Sequence, residues 1–277
     1  MELNRIILVP WDFTILAEYA LQHAVKFAGK LKGEIILLHV VKKEEEEENL
    51  ESELKKIATA NTKTTGVKTE AILKIGTIFH DISKTAEELQ AMMVIMGTHG
   101  IKGMQKYLGS WALKVIANTQ IPFVVVQEPP KGELFKTLLY PINFRKENKE
   151  VVNWLLLFIK HFDIKIKIFA ARYKDIKLKK SVSSNILFAQ KIFEKKNIPY
   201  EIEWSAAKVD FAKATVEYAE RVLPDVILVM TTRDISLADF LIGASEQYII
   251  ANSARIPVMC LSPRPITNVG GFMAGGG

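Results

Sequence analysis

The first half of the chain alternates short runs of consecutive apolar residues with longer stretches of helical spacing. Arg5-Ile6-Ile7-Leu8-Val9-Pro10 is apolar without alternation, as expected of a strand buried on both faces. Trp11-Asp12-Phe13-Thr14 is its exit, and Thr14 can cap a helix beginning near Ile15. Leu16, Ala20, Leu21, Ala24, Phe27 and Ala28 then recur at helical spacing, with Gly29 and Gly33 closing the element. Ile35 to Val41 predicts the second strand. Leu50, Leu54, Ile57 and Ala58 predict a surface helix ended by Thr64-Thr65-Gly66. A strand over Val67–Ile75, a helix with Ile78, Ile82, Ala86 and Leu89 on one face, and a strand over Met92–Met96 follow. A helix from Ser110 and a strand over Ile121–Val126 complete five strands and four helices in strict alternation. That order implies an α/β fold with a parallel sheet covered by helices on both faces and right-handed crossovers.

The fourth strand runs into a glycine-rich stretch, Gly97-Thr98-His99-Gly100, and then Gly109-Ser110-Trp111 at the start of a helical pattern. Glycines let a backbone approach a ligand closely. The first N–H groups of a helix lack internal partners and carry the positive end of its dipole. Strand, glycine loop and helix start together suit a phosphate. The spacing is neither a P-loop nor GxGxxG. A tight turn without a ligand is the other reading of this stretch.

Glu128-Pro129-Pro130-Lys131-Gly132 marks a linker, and the pattern then repeats. Leu138 to Phe144 echoes Ile7 to Phe13, Lys165–Ala171 takes the second strand's place, and Val226 to Met230 echoes Met92 to Met96. Pro141 follows Pro10 by 131 residues, and Gly243 follows Gly109 by 134, so a whole domain is repeated. The copies differ where chemistry would occur. Asn143 stands for Asp12, Thr231 for Gly97, Asp234 for Gly100 and Ala244 for Ser110. A carboxylate at Asp234 would repel phosphates, so the second loop is degenerate; compensation by Arg233 is the alternative.

Composition narrows the class. The 277 residues are 49% hydrophobic and 25% charged, which is globular. No apolar stretch reaches a membrane span, and the first residues read as a strand rather than a leader. Cys260 is the only cysteine, which fits a reducing, cytoplasmic setting. The net charge of +6 comes from scattered lysines, often beside acids, and gives no nucleic-acid patch. The run Lys42 to Glu48 reads as a solvated loop or first helical turn. His23, His39, His80, His99 and His161 have no metal-ligand spacing, and no catalytic constellation stands out.

Val9-Pro10-Trp11-Asp12-Phe13-Thr14 and Gly97-x2-Gly100-x8-Gly109-Ser110 resemble the universal stress protein family. Its opening strand ends in Val-Pro-x-Asp-Phe-Ser/Thr, and its loop is G-x2-G-x9-G-S/T. This sequence has one loop residue fewer. The resemblance covers nearly the whole chain as two tandem Rossmann-like domains, over residues 1–128 and 135–264, with a flexible Gly-rich tail over 265–277. It implies ATP binding, with Mg as a companion ion, by the first domain. Asp12 and Val40 would flank the base, Pro10 and Gly97 would lie by the ribose, and Met96 is a further nucleotide contact. Gly100, Gly109, Ser110 and the Trp111 backbone would take the phosphates. His99 is a phosphate contact or an exposed loop residue. Asp12 alone reads equally as a turn residue, and His39 as a satisfied core histidine. The resemblance further implies a regulatory protein with at most slow ATP hydrolysis, pairing of the halves through the strands of Val124 and Val258, an unknown protein partner, and a homodimer as an option. A nucleotide-free scaffold is the alternative.

Overall fold

The computed structural model describes residues 5–42, 47–98, 116, 119, 121–132, 135–230 and 244–261. The first half contains β1 (Ile6–Pro10), α1 (Ile15–Leu31), β2 (Glu34–Val41), α2 (Glu47–Thr65), β3 (Thr69–Ile75), α3 (Ile78–Glu88), β4 (Met93–Gly97) and β5 (Phe123–Val126). The second contains β6 (Thr137–Ile142), α4 (Asn148–Ile159), β7 (Lys165–Ala170), α5 (Ile176–Lys195), β8 (Tyr200–Trp204), α6 (Phe211–Val222), β9 (Val226–Met230), α7 (Ala244–Ile250) and β10 (Val258–Leu261). No helix among the described residues is long and apolar enough to cross a membrane.

All ten strands form one sheet, in the order β3-β2-β1-β4-β5-β10-β9-β6-β7-β8. Within each half the pairing is parallel, so each half is a five-stranded Rossmann-like unit with the order 3-2-1-4-5. The halves meet antiparallel, with Val258 opposite Val125, Met259 opposite Val124 and Cys260 opposite Phe123. The residues of β5 and β10 are all buried, so neither strand is a free edge.

The consecutive apolar residues of the strands serve two cores. Ile7, Val9, Ile35, Leu37 and Val124 point to one face, where α1, α2, α4 and α5 lie. Ile6, Leu8, Ile36, Leu38 and Val125 point to the other, covered by α3, α6 and α7. Both cores take residues from both halves and run across the β5–β10 junction without a break.

Local signals hold with small shifts. Thr14 caps α1, its hydroxyl accepting from the Ala17 N–H, as its sequence position suggests. Gly29 does not end that helix. It continues to Leu31, and Lys32 takes the left-handed cap (φ 52°), its N–H bonding the Ala28 carbonyl. Gly33 is needed for a different reason, because a Cβ there would sit 2.2 Å from the Arg5 carbonyl oxygen. Gly66, with φ +72°, ends α2.

The linker after β5 is tied to both halves. His23 of α1, which is 2% exposed, places Nε2 3.0 Å from the Glu128 carbonyl oxygen. The Glu128 carboxylate pairs with Lys131 and with Arg255 of the second half, each at 2.7 Å. These contacts hold that carboxyl below its ordinary range, and Phe135 packs on Phe27 with ring centroids 4.5 Å apart.

Burial pushes the His23 pKa down from 6.5 to about 4. The folded state therefore prefers the neutral ring. Stability from this group is complete above pH 6.5 and is lost as pH falls toward 4, by an amount on the order of 3 kcal/mol. Urea unfolding at pH 7 and pH 4.5 should show His23→Gln losing less stability on acidification than the parent; equal losses would mean His23 does not titrate this way.

Candidate functional site

In an open parallel sheet the ligand crevice lies beyond the carboxyl ends of the strands, where the strand order reverses. In the first half that point lies between β1 and β4, since β1 leads outward to β2 while β4 lies on its other side. Leu8 pairs with Val94, so Pro10 and Met96 stand two residues further along neighbouring parallel strands. Val40 is near the end of β2, on the opposite side of β1 from Met96, and both pack on the same core face. Pro10, Asp12, Val40, Met96 and Gly97 are thus gathered at one end of three adjacent strands.

Asp12 follows β1 in a tight turn. Its Oδ1 accepts from the Thr14 N–H (3.1 Å) and the Thr14 hydroxyl (2.6 Å). Phe13 between them takes φ +59°. The turn and ligand readings of Asp12 are therefore compatible. Oδ1 builds the turn that starts α1, and Oδ2 has no partner among the described residues on an exposed side chain. Trp11 is buried, and its indole Nε1–H has no hydrogen-bond partner among the described residues.

His39 is the satisfied histidine its position suggested. Its Nδ1 lies 2.6 Å from the Trp11 carbonyl oxygen, and its ring meets Phe13 edge-on at 5.0 Å. The Trp11 N–H in turn donates to the Leu38 carbonyl (2.8 Å), so the exits of β1 and β2 are laced together.

Gly97 has a steric role that spacing alone did not show. A Cβ there would come 2.3 Å from the Leu16 carbonyl oxygen and 2.7 Å from the Leu16 Cβ. The first turn of α1 thus lies against the end of β4, leaving no room for any side chain. Beyond it, the Thr98 N–H bonds the Val126 carbonyl at 2.9 Å. His99, Gly100, Gly109, Ser110 and Trp111 lie outside the described residues.

The second half has its own crevice at the matching point, between β6 and β9. The register pairs Pro10 with Leu38 and Pro141 with Phe169, which sets Ala170 in the place of His39 and Ala171 in that of Val40. A cavity of about 530 Å³ opens there, walled by Phe144, Tyr173, Phe211, Val229 and Ile249. Its polar lining includes Asn143, Arg145 and Glu246. The Arg145 guanidinium and the Glu246 carboxylate pair at 2.6 Å, both largely buried. Sequence reading had no signal for that pair, whose members lie 101 residues apart. Nor did it find Asn148 and Asn185, whose side chains donate to the Arg145 carbonyl at 2.7 and 2.9 Å and fix the turn after β6.

Among the described residues no group of three or more His, Cys, Asp or Glu could hold a metal ion. What the fold and the gathered residues define is a tandem α/β protein with a topological switch point in each half. The universal stress protein family model matches residues 4–127. "Universal stress protein MJ0577" of Methanocaldococcus jannaschii is 30% identical over 151 residues, 44% of this chain and 93% of that protein. "Universal stress protein MJ0531" of the same organism is 29% identical over 150 residues, 47% of this chain and 85% of that protein. A solved universal stress protein from Archaeoglobus fulgidus DSM 4304 shares the fold across both halves. Its TM-score is 0.75 over 95% of this chain and 100% of that one, at 18% identity. The chain belongs to the universal stress protein family.

Proposed function

We propose that this chain is an ATP-binding regulatory protein that holds one nucleotide, with Mg as companion ion, in its first half. The domains run over residues 1–128 and 135–264, with 265–277 a tail. The observation that carries the reading is the meeting of Asp12 and Gly97 at the ends of adjacent strands. One presents a free carboxylate oxygen beside the crevice. The other lets α1 close onto the strand that leads into Gly100 and Gly109-Ser110. A helix start preceded by glycines suits the phosphates, and Asp12 and Val40 suit the base. No residue is assigned a catalytic role. Cys260 is the single cysteine, so no disulfide forms within the chain, which suits a reducing, cytoplasmic compartment.

Calorimetric titration of the full chain with ATP, with and without Mg, tests the reading. One site per chain is expected, and mass spectrometry of the denatured protein should find a co-purifying adenine nucleotide. Two sites per chain would overturn the assignment to the first half alone. No binding at millimolar ATP would favour the nucleotide-free scaffold.

A further inference from the structure

The two halves present opposite hydrogen-bonding polarity at the same place in the fold. Asp12 uses Oδ1 for its own turn and keeps Oδ2, an acceptor, free. Asn143 uses Oδ1 in the same way, accepting from the Arg145 N–H at 3.0 Å and from Asn148 Nδ2 at 2.8 Å. The Arg145 backbone N–H can only donate, so it fixes which end of the amide is oxygen. The free end of Asn143 is therefore an NH2 group, and among the described residues it has no partner. A donor thus replaces an acceptor at the mouth of the second crevice.

Arg145 links Asn143 to Glu246. Its backbone bonds the first and its guanidinium pairs with one oxygen of the second at 2.6 Å. The second Glu246 oxygen has no partner among the described residues. The crevice therefore offers a donor at Asn143 and an acceptor at Glu246, with the Arg145 charge already balanced. Apart from Asn148 and Ser245 the remaining walls are aromatic and aliphatic, with Phe144 and Tyr173 meeting edge-to-face at 5.5 Å. About 530 Å³ falls within the range of small-molecule sites, and aromatic walls with a few polar groups suit a planar ligand.

We propose that the second crevice binds an uncharged planar oxo-heterocycle of nucleobase or nucleoside size, and rejects nucleoside polyphosphates. A 6-oxopurine is the matching chemistry. Its carbonyl would accept from Asn143 Nδ2, and its adjacent ring N–H would donate to Glu246. A 6-aminopurine offers a donor and an acceptor in the reverse order, so both contacts would fail. Polyphosphates would meet an already paired arginine and the carboxylate of Glu246, and the sequence places Asp234 where the first half has Gly100. The proposal does not depend on ATP occupying the first half.

Guanosine and adenosine are the probes, titrated by calorimetry into the full chain with and without saturating ATP. With ATP saturating the first half, guanosine should bind at one site per chain, at least tenfold tighter than adenosine, and further ATP should not displace it. Asn143→Asp keeps an oxygen for the Arg145 N–H and Asn148 while turning the free donor into an acceptor. It should weaken guanosine at least tenfold with an unchanged melting temperature. Glu246→Gln keeps an oxygen for Arg145 and turns the other acceptor into a donor, and should do the same should Asn143→Asp fold poorly. Equal binding of the two nucleosides with ATP saturating, displacement by further ATP, no guanosine binding at millimolar concentration, or full affinity in the folded variants would each overturn the proposal. Failure of ATP to bind the parent chain would count against the first-half reading alone.

Discussion

A Gly97→Ala chain should melt well below its parent. The added methyl would lie 2.3 Å from the Leu16 carbonyl oxygen and 2.5 Å from the Leu16 carbonyl carbon, contacts that no rotamer change relieves. Backbone must move against backbone, either α1 away from β4 or the end of β4 away from its neighbours. Overpacking of this kind costs about 3 kcal/mol. The displaced element is the one whose first turn is set by Asp12 and Thr14, so ATP affinity should fall with stability. Gly29→Ala is the control. Nothing lies within 4 Å of its Cβ, and it sits inside α1, where alanine is favoured over glycine by up to about 1 kcal/mol. That chain should melt at or above the parent. Gly100→Asp should act by another route, placing a carboxylate in the proposed phosphate loop and abolishing ATP binding without lowering the melting temperature. Thermal melts and calorimetry on the three chains separate the routes. A Gly97→Ala chain as stable as the parent would contradict the close approach of α1 to β4. Full ATP affinity in Gly100→Asp would move the phosphates elsewhere.

How much of this was legible in the sequence depends on what each segment packs against. The strands were plain because a strand buried on both faces is apolar at every position, as in Ile6 to Val9 and Phe123 to Val126. Helix ends were less so. Gly29 reads as a stop, yet α1 passes through it and ends only at Lys32, which takes the left-handed conformation immediately before the Gly33 contact. The 20-residue α5 was not predicted at all. Its first turns carry Lys177, Lys179 and Lys180, and its buried stripe of Val182, Asn185, Ile186, Ala189 and Phe193 is interrupted by a polar residue. Asn185 is buried for a reason that only the fold supplies, namely bonds to the Asn143 and Arg145 carbonyls at 2.9 Å. The first crevice was half legible. Asp12 and Gly97 carry a recognisable spacing, but the steric duty of Gly97 arises from Leu16, a residue distant in sequence. The second crevice was hidden more deeply. Reading Asn143 and Asp234 as losses predicts only a degraded phosphate site, whereas the cavity depends on Arg145 meeting Glu246 across the fold.

A chain ending at Gln127 should associate with itself. In the full protein β5 lies between β4 and β10, and its Val124 and Val125 face Met259 and Val258. All four residues of β5 are no more than 1% exposed. Gln127 extends the junction, its side-chain amide donating to the Ile250 carbonyl at 3.2 Å. Removing the second half would leave the backbone groups of β5 that bond β10 without partners. It would also uncover apolar side chains on both faces, because the two cores run through the junction. An apolar edge with no charge, proline or bulge is the kind that recruits another strand. The partner at hand is the same edge of a second truncated chain, and an antiparallel pairing of two β5 strands would imitate the one β10 now provides. Sedimentation velocity of residues 1–127 across a range of concentrations should show a dimer that persists on dilution. Val124→Lys in that fragment, a charge placed at the centre of the pairing, should return it to monomer or leave it unfolded, and circular dichroism separates those two results. A folded, soluble monomer of the unsubstituted fragment at high concentration would show that β5 can stand as an edge by itself. The junction would then be a contact between self-sufficient halves rather than a requirement for covering them.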